Sequence, residues 1–457
     1  MARIQYNIDD RPDSRKAFPL AFQHVLSAFT GQISVVMVLA AGFGLDVRAT
    51  SILMQCSFLI VGVTTILQSY GLGKYIGGRL PIVSMGSFTT VAPMVVAASN
   101  PDIGIAGAFG SACVGSLFLL FFGPMVIKLL YRYFRPAVTG SIILAVGVCI
   151  GSSAFYNFNP NSETAMVEYG IAIFVIITIL LLYFFGKGLL KQCCILLGMV
   201  VGYIVMAVMG FVDFSPIADA AWFAAAKPFA FGFQVNWGVV LTIAIVHIGT
   251  IMEMTGDISG LTTAAQNRLP TEEELTRSVR AGGIGSCFAA AFNGSPVITG
   301  SANVGIVSMT GVASRYVTGL AGIIVIVFAF VPKFAQLLSL MPSAVMAGGI
   351  IVMCGQIAAS GLRVISMDKF DDRNMMIIAI SLGLGLCGNF GLANLSFLPA
   401  TFTSIFTGIP GTALIGLLLN IILPKSKETD ETAEAPPAAE PAQAAKAAEP
   451  VESVTEQ

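Results

Sequence analysis

Two acidic residues lie inside an apolar segment that is long enough to cross a membrane. Glu253 and Asp257 are four residues apart, so they share one face of a helix. An acid at the centre of a bilayer costs about 3 kcal/mol even on the lower scales, so such residues are rare and usually functional. Because two neighbouring carboxylates in a medium of low dielectric constant cannot both ionise at low cost, we expect the pair to hold or exchange a proton. The alternative is a structural pair that helix-end amides or hydroxyls satisfy.

A second unusual segment follows at 296–311, which is short and rich in Pro, Gly, Ser, Thr and Asn. At membrane depth, irregular backbone is tolerated only where it is buried in protein or lines a water-filled cavity. Asn303 offers a donor and an acceptor there, and its alternative role is to cap a helix that begins near Val304. A carboxylate such as Glu253 accepts two N–H groups side by side, which suits a planar lactam or imide. An acid pair beside an interrupted helix therefore predicts a transport site.

The residues that flank the interruptions are further candidates. The backbone N–H groups of Phe88 and Ser301 are expected near the N-termini of short helices, which carry partial positive charge and can face a ligand. The Phe88 ring either stacks on a flat ligand or simply packs. His24 is a proton partner, an anchor for Glu253, or a histidine satisfied by a hydroxyl. Thr310 is a weaker candidate, whose alternative is a bond back to its own helix.

The composition is that of a polytopic membrane protein. Hydrophobic residues make up 56% of the 457 residues and charged residues only 11%, whereas a soluble domain carries about 25% charged residues. The net charge of −1 gives no electrostatic basis for binding nucleic acid. The eight cysteines lie in apolar segments without a CxxC pair, so we expect neither disulfide nor zinc, and no cofactor. No nucleotide-binding glycine motif is present.

Hydropathy predicts an all-α polytopic protein, since a membrane-spanning helix needs about 20 mostly apolar residues. Applied along the chain, this criterion gives fourteen segments: 18–42, 50–69, 82–98, 104–129, 137–154, 168–186, 190–212, 236–260, 278–293, 296–311, 314–331, 338–357, 374–392 and 398–423. The third and the tenth are short and rich in Gly, Ser and Thr. We expect each of these two to be part extended strand and part short helix.

The basic residues predict the orientation of these segments, because cytoplasmic loops are enriched in Lys and Arg. If both termini are cytoplasmic, all of the 24 basic residues except Arg48, Lys227 and Lys333 fall on the cytoplasmic side. An error of parity in the middle of the chain would scramble this segregation. We therefore predict a multi-pass protein of the plasma (inner) membrane with both ends inside.

The two halves of the chain resemble each other. The stretch 81–88 is similar to 296–303, and 136–143 is similar to 342–351. Because seven segments is an odd number, the second half enters from the opposite side, which makes a seven-plus-seven inverted repeat. The predicted organisation is a cytoplasmic arm (1–16), a first repeat (17–212), a connecting loop (213–235), a second repeat (236–423) and a disordered cytoplasmic tail (424–457). The site is expected where 81–93 meets 296–305.

The motifs around these residues resemble those of one family. The stretch from Asn303 through Thr310 to Gly311 is similar to the signature of the nucleobase–ascorbate transporters, also called nucleobase:cation symporter 2. That signature has Gln, Glu or Pro, then Asn-x-Gly, four residues, Thr, and Arg, Lys or Gly. The spacing from Glu253 to Asp257 is similar to the purine-transporting branch, and His24 and the triplet 86–88 also fit. The resemblance covers roughly residues 17–423.

The resemblance implies a core domain that moves against a gate domain, in a homodimer that takes up a xanthine-, urate- or uracil-like base together with protons. Carried over position by position, it implies that Glu253 binds the edge of the base. Asn303 and the backbones of Ser301 and Phe88 would line the site. The supporting residues would be His24 and Asp257.

Two positions depart from the family pattern. Ala302 stands where the family has Gln, Glu or Pro, a side chain that usually bonds the base and helps to separate purine from uracil transporters. Its loss removes a hydrogen bond worth about 1 kcal/mol at a desolvated site. Gly282 stands where the purine branch usually has an Asp. These departures leave the identity of the base open.

The leading hypothesis is a proton-coupled symporter of an oxopurine such as xanthine or uric acid. The alternatives are a uracil permease of the same family and an anion transporter of the same seven-plus-seven fold. A membrane enzyme or receptor is a third possibility. An intramembrane aspartyl protease would need a second acid on another helix, and the other apolar segments offer no credible one. We therefore expect a transporter and not an enzyme.

Overall fold

The structure is a computed structural model that describes residues 4–133, 135–153, 164–187, 189–192, 194–390 and 408–424. Its first half contains α1 (Ser14–Phe43), α2 (Val47–Tyr70), β1 (Ser84–Gly86), α3 (Val91–Ser99), α4 (Gly104–Phe121), α5 (Gly123–Leu130), α6 (Pro136–Ser153), α7 (Ala165–Phe185), α8 (Leu189–Gln192) and α9 (Cys194–Val208). A short helix, α10 (Ser215–Asp219), lies in the connecting loop. The second half contains α11 (Trp237–Gln266), α12 (Glu272–Ala291), β2 (Val297–Thr299), α13 (Ser301–Thr310), α14 (Arg315–Ala329), α15 (Pro332–Ser339), α16 (Ser343–Ile365), α17 (Asp372–Asn389) and α18 (Gly408–Ile422).

The chain is mostly helical, as its hydropathy predicts. Within the described residues, six helices are long and apolar enough to cross a membrane by themselves: α1, α2, α4, α7, α11 and α16. The other predicted segments correspond to shorter or interrupted helices, so the number of fourteen crossings remains a prediction. The end of the thirteenth predicted segment, the start of the fourteenth and the tail beyond 424 lie outside the described residues.

Several predicted boundaries differ from the structure. The fourth segment is divided at Phe122 into α4 and α5. The region 332–339, which the sequence predicts mostly as a loop, forms α15, which bends by 87° from α14. Pro332 is the first residue of α15, where its missing N–H costs no hydrogen bond. Pro342 precedes the next helix, so α16 begins at Ser343 and not at 338.

The interrupted third and tenth segments meet in a two-stranded antiparallel sheet. β1 pairs with β2 in the register Ser84↔Thr299, Met85↔Ile298 and Gly86↔Val297, and all six residues are buried. α3 follows β1 and α13 follows β2, so each segment is part strand and part short helix, as the sequence predicts. The pair is sequestered from lipid because unpaired strand edges cannot face hydrocarbon.

The helices fall into two groups, one of which surrounds this sheet. α1, α2, α4, α11, α12 and α14 pack around the strands, and α6, α7, α9, α16, α17 and α18 pack against one another beside them. Glycines allow the backbones to approach closely within each group. A Cβ at Gly62 of α2 would lie 2.6 Å from the carbonyl oxygen of Gly322 in α14, and one at Gly140 of α6 would lie 2.8 Å from that of Gly361 in α16. The groups meet where α11 packs on α6 and α13 packs on α16.

Candidate functional site

The first acid, Glu253, lies on the buried half of α11. The helix begins after Asn236, whose side chain accepts the N–H groups of two first-turn residues. From Thr250 to Ala265 every residue of α11 is buried, so Glu253 is only 2% exposed. Its Oε2 accepts a hydrogen bond of 2.6 Å from the hydroxyl of Thr89. Thr89 lies between β1 and α3, so this bond joins Glu253 to the first interrupted segment.

The second acid, Asp257, is bound to the other interrupted segment. Its Oδ2 accepts a hydrogen bond of 2.8 Å from Thr299, the last residue of β2. Its Oδ1 accepts one from Ser301, the first residue of α13. Asp257 is 3% exposed, and both of its carboxylate oxygens are thus engaged by hydroxyls. The geometry agrees with a supporting role for Asp257, which remains a proposal.

His24 and Asn303 connect α1 to α13 and to the residue that precedes β1. The Nδ1 of His24 lies 2.6 Å from the Oδ1 of Asn303, and with the amide oriented in this way Nδ1 is the donor. The Nδ2 of Asn303 donates to the carbonyl oxygen of Pro81, which precedes β1. His24 therefore anchors Asn303, whereas Thr89 is the residue that bonds Glu253. The alternative that Asn303 caps a helix is wrong, because α13 begins at Ser301 with Gly300 as its N-cap.

The backbone N–H groups near the two interruptions complete the arrangement. Among the described residues, the N–H groups of Phe88 and Ser301 have no protein acceptor. Ser301 is the first residue of α13, where an N–H has no partner within its own helix. The Phe88 ring is partly buried and packs against the large apolar core. Ala302 is the second residue of α13, between Ser301 and Asn303.

Two further polar residues, Thr310 and His247, lie away from the two acids and the interruptions. The hydroxyl of Thr310 donates to the carbonyl oxygen of Ile306 in its own helix and accepts the N–H of Val312. Thr310 therefore bonds back to its own helix, which is the structural role stated above as its alternative. The ring of His247 contacts the hydroxyls of Ser116 and Thr250, which gives this second histidine a structural setting.

The site contains two hydroxyls that the sequence analysis did not select. Thr299 and Ser301 are two residues apart, and side chains at this spacing share one face of an extended chain. That spacing is a signal by which Thr299 could have been found as the partner of Ser301. Thr89 follows Phe88 directly, and nothing in the sequence indicates that its hydroxyl reaches an acid 164 positions away.

A cavity opens where the two helix groups meet. Asp257 and Ser301 from α11 and α13 line one side of it, together with the small residues Gly256 and Gly260. The other side is formed by α6 and by the C-terminal end of α16, which contributes Arg363. Asp257 and Arg363 are the two ionisable residues in its lining. The cavity thus reaches the start of α13 from the side of the second helix group.

The fold and the site together define a multi-pass membrane protein in which two buried acids accept hydrogen bonds from two interrupted segments at the point where these segments meet. A family model described as Permease family, of the xanthine/uracil permease type, matches residues 15–393. The chain therefore belongs to this family, the nucleobase–ascorbate transporters that its motifs resemble.

Individual relatives agree with this assignment. The chain is 33% identical over 445 residues to a putative purine permease of Clostridium perfringens, and the match covers 93% of this chain and 94% of that protein. It is also 33% identical over 415 residues to the uric acid transporter UacT of Escherichia coli, covering 89% and 86%. The transmembrane domain of the cyanobacterial bicarbonate transporter BicA superposes with a TM-score of 0.56 at 14% identity, covering 91% of this chain and 100% of that one. This last likeness shows the fold alone.

Proposed function

We propose that this protein is a proton-coupled transporter that takes up an oxopurine of the xanthine or uric acid type. The observation that carries the proposal is the position of Glu253. This buried carboxylate lies where the two interrupted segments meet, and it accepts only the Thr89 hydroxyl among the described residues. Family membership supports a nucleobase as cargo, since similar relatives are described as purine permeases and uric acid transporters.

The chemistry of the site suits an oxopurine. A carboxylate has about four acceptor positions, so Glu253 can accept adjacent N–H groups from the edge of a base. The N–H groups of Phe88 and Ser301 can donate to the carbonyl oxygens of the same ligand, helped by the positive end of α13. Ala302 leaves a methyl group where the family has a longer side chain, which favours a ligand that does not depend on that contact.

The surroundings of the acids support the proposed coupling to protons. In the described part of the chain, neither Glu253 nor Asp257 forms an ion pair with a Lys or Arg. A buried carboxylate without a cation is costly in its charged form. Binding a proton together with the base therefore lowers the cost of moving the loaded site across the membrane. The proton then leaves with the base on the cytoplasmic side.

The movement is proposed to occur between the two helix groups. The group around the strands corresponds to the core domain that the family resemblance implies, and the group around α6 and α16 corresponds to the gate. The full proposal includes fourteen crossings in a seven-plus-seven inverted repeat, both termini in the cytoplasm, the inner membrane as location and a homodimer. A uracil permease of the same family is the second candidate. An anion transporter is less well supported because two acids lie at the interruptions and, among the described residues, neither forms an ion pair with a cation.

The test is uptake of labelled xanthine, urate and uracil by the full chain in proteoliposomes with an inward proton gradient. Glu253→Gln is expected to reduce uptake of the preferred base by at least about a hundredfold, because it replaces an acceptor of two N–H groups and a proton carrier. Glu273→Gln, which changes an exposed acid in the first turn of α12, serves as the matched control. Normal uptake of all three bases by Glu253→Gln contradicts the proposal.

A further inference from the structure

The loop between α2 and β1, residues 71–80, is fixed to the helices on both sides of it. The N–H of Gly77 donates a hydrogen bond of 2.9 Å to the carbonyl oxygen of Arg277 in α12, and the N–H of Arg79 donates one of 2.9 Å to that of Gln68 in α2. Because α2 is long and apolar enough to cross a membrane, the loop that follows it lies at the membrane surface. This α2–β1 loop thus presents a defined set of side chains there.

Three cations lie on or beside the α2–β1 loop. The ammonium group of Lys74 lies 5.1 Å from the centre of the Tyr75 ring, and the guanidinium of Arg280, from α12, lies 5.7 Å from the same centre. Arg79 follows in the loop, and its guanidinium donates to the carbonyl oxygen of Gly73. Among the described residues, none of these three cations forms an ion pair. Their charges are therefore available to an anion.

The acids at the start of α12 do not neutralise this group. Glu273 pairs with Arg277 at 3.4 Å, and Glu274 pairs with Arg268 at 2.6 Å. Glu272 is the third acid of this first turn. The surface formed by the α2–β1 loop and α12 consequently has an excess of positive charge.

Arg79 has a backbone conformation that favours glycine. Its φ is 55°, in the left-handed region, and Gly71, Gly73 and Gly77 of the same loop also have positive φ. A residue with a side chain is strained there, whereas glycine is not. An arginine kept at such a position indicates a use for its guanidinium.

Exposed apolar side chains lie beside the cations. Leu72 is 61% exposed and Tyr75 is 59% exposed, and tyrosine is typical of the interface between membrane and water. A free phosphate would contact the cations alone. A phospholipid offers a phosphate to the cations and an apolar chain to Leu72, so the combination favours a lipid.

We propose that the α2–β1 loop and α12 form a binding site for the headgroup of an anionic phospholipid. Lys74, Arg79 and Arg280 surround the phosphate, and Leu72 contacts the start of an acyl chain. Clusters of basic residues next to a membrane-spanning helix attract anionic headgroups in this way. With the orientation predicted from the basic residues, the site faces the cytoplasmic leaflet. It does not depend on the proposed function.

The experiment titrates the purified, delipidated full-length protein in neutral detergent with phosphatidylglycerol or phosphatidylcholine of the same acyl chains. The rise of the melting temperature with lipid concentration gives the affinity. Phosphatidylglycerol is expected to bind at least about tenfold more tightly, and Lys74→Gln and Arg280→Gln are each expected to weaken it about fivefold. Lys369→Gln removes an exposed cation from the loop after α16. This control is expected to change the affinity less than about twofold.

Two further variants separate binding from folding. Arg79→Gly removes the guanidinium and relieves the backbone, so it is expected to keep the melting temperature without lipid and to weaken phosphatidylglycerol about fivefold. Leu72→Ser is expected to weaken phosphatidylglycerol and to leave the binding of glycerol 3-phosphate unchanged. Glycerol 3-phosphate carries a phosphate without acyl chains, and we expect it to bind at least about tenfold more weakly than the lipid.

Three outcomes overturn the site. Equal affinity for the two lipids would show that charge does not select the ligand. An equal loss in Lys369→Gln would show that any surface cation suffices. Glycerol 3-phosphate that binds as tightly as phosphatidylglycerol would show a site for a free phosphate and not for a lipid. No base is present in these measurements, so their result and that of the uptake experiment are independent.

Discussion

The two interrupted segments are related in sequence and paired in space, but they are held differently. The segment of β2 and α13 is fixed by Asp257 through two hydroxyls and by His24 through Asn303. The segment of β1 and α3 makes one hydrogen bond to an acid, which the Thr89 hydroxyl donates to Glu253. Its strand is held mainly through backbone N–H groups, which Gln32 and Thr65 accept at Gly86 and Ser84.

The difference separates the roles of the two acids. Asp257 has one hydrogen bond at each carboxylate oxygen, and both come from the segment that it positions. Glu253 has one hydrogen bond at one oxygen among the described residues, so most of its acceptor capacity is available to a ligand. Four residues of helix thus separate an acid engaged in structure from an acid available for binding. The comparison predicts that their mutants fail in different ways.

The largest expected effect of mutating these two acids is on the stability of the folded protein. Asp257→Ala leaves the hydroxyls of Thr299 and Ser301 without their shared acceptor in a buried place, which is expected to cost about 3 kcal/mol. Glu253→Ala leaves only the Thr89 hydroxyl and is expected to cost about a third of that. Thermal unfolding of both variants in detergent, with and without the base, measures the contrast. Equal losses of stability would show that Glu253 is as structural as Asp257.

A smaller effect is expected at the start of α13, where Ala302 replaces the longer side chain of the family. Ala302→Gln adds a donor and an acceptor next to Ser301 and Asn303, and one additional hydrogen bond to a base is worth about 1 kcal/mol. We expect affinity for xanthine to rise about fivefold relative to urate and uracil. Competition binding across a panel of purines and pyrimidines measures this shift. An unchanged order of preference would show that residue 302 does not contact the base in this protein.

Much of this arrangement follows from local sequence. The cost of Glu253 and Asp257 in an apolar segment, and the Gly- and Ser-rich interruptions at 82–98 and 296–311, indicate the site and its strands because they reflect the properties of single segments. The similarity of 81–88 to 296–303 also indicates which two segments meet. The residues involved lie on separate elements whose order along the chain is known.

The partners of the acids could not be predicted in the same way. The bonds from Thr89 to Glu253 and from His24 to Asn303 join residues more than 160 positions apart, and they depend on how α1, α3, α11 and α13 pack. The sequence suggests Glu253 as one possible partner of His24, because both are rare polar groups in apolar helices. Packing, which sequence spacing does not determine, places it beside Asn303. The sequence does not predict α15 or the bend before it, because a proline, which ordinarily indicates a loop, can also begin a helix.

The smallest expected effect concerns Glu274, an acid that, unlike Glu253 and Asp257, is paired with a cation. Glu274 closes a capping box with Thr271 at the start of α12 and accepts two hydrogen bonds from Arg268. Burial alone would raise the pKa of Glu274, but the bonds from Arg268 and Thr271 outweigh it and lower the pKa below its ordinary value.

A carboxylate with a lowered pKa stabilises the folded state above its unfolded pKa, about 4.3, and loses that contribution as the pH falls through the folded pKa. Because Arg268 is 37% exposed, Glu274→Gln is expected to cost less than about 1 kcal/mol at pH 7. In thermal unfolding, the difference from the wild type should shrink below about pH 4, while Glu272→Gln provides the control for the helix end. A difference that persists at low pH would assign the effect to packing, and the contrast between acids with and without a cation would then no longer explain how this chain uses its carboxylates.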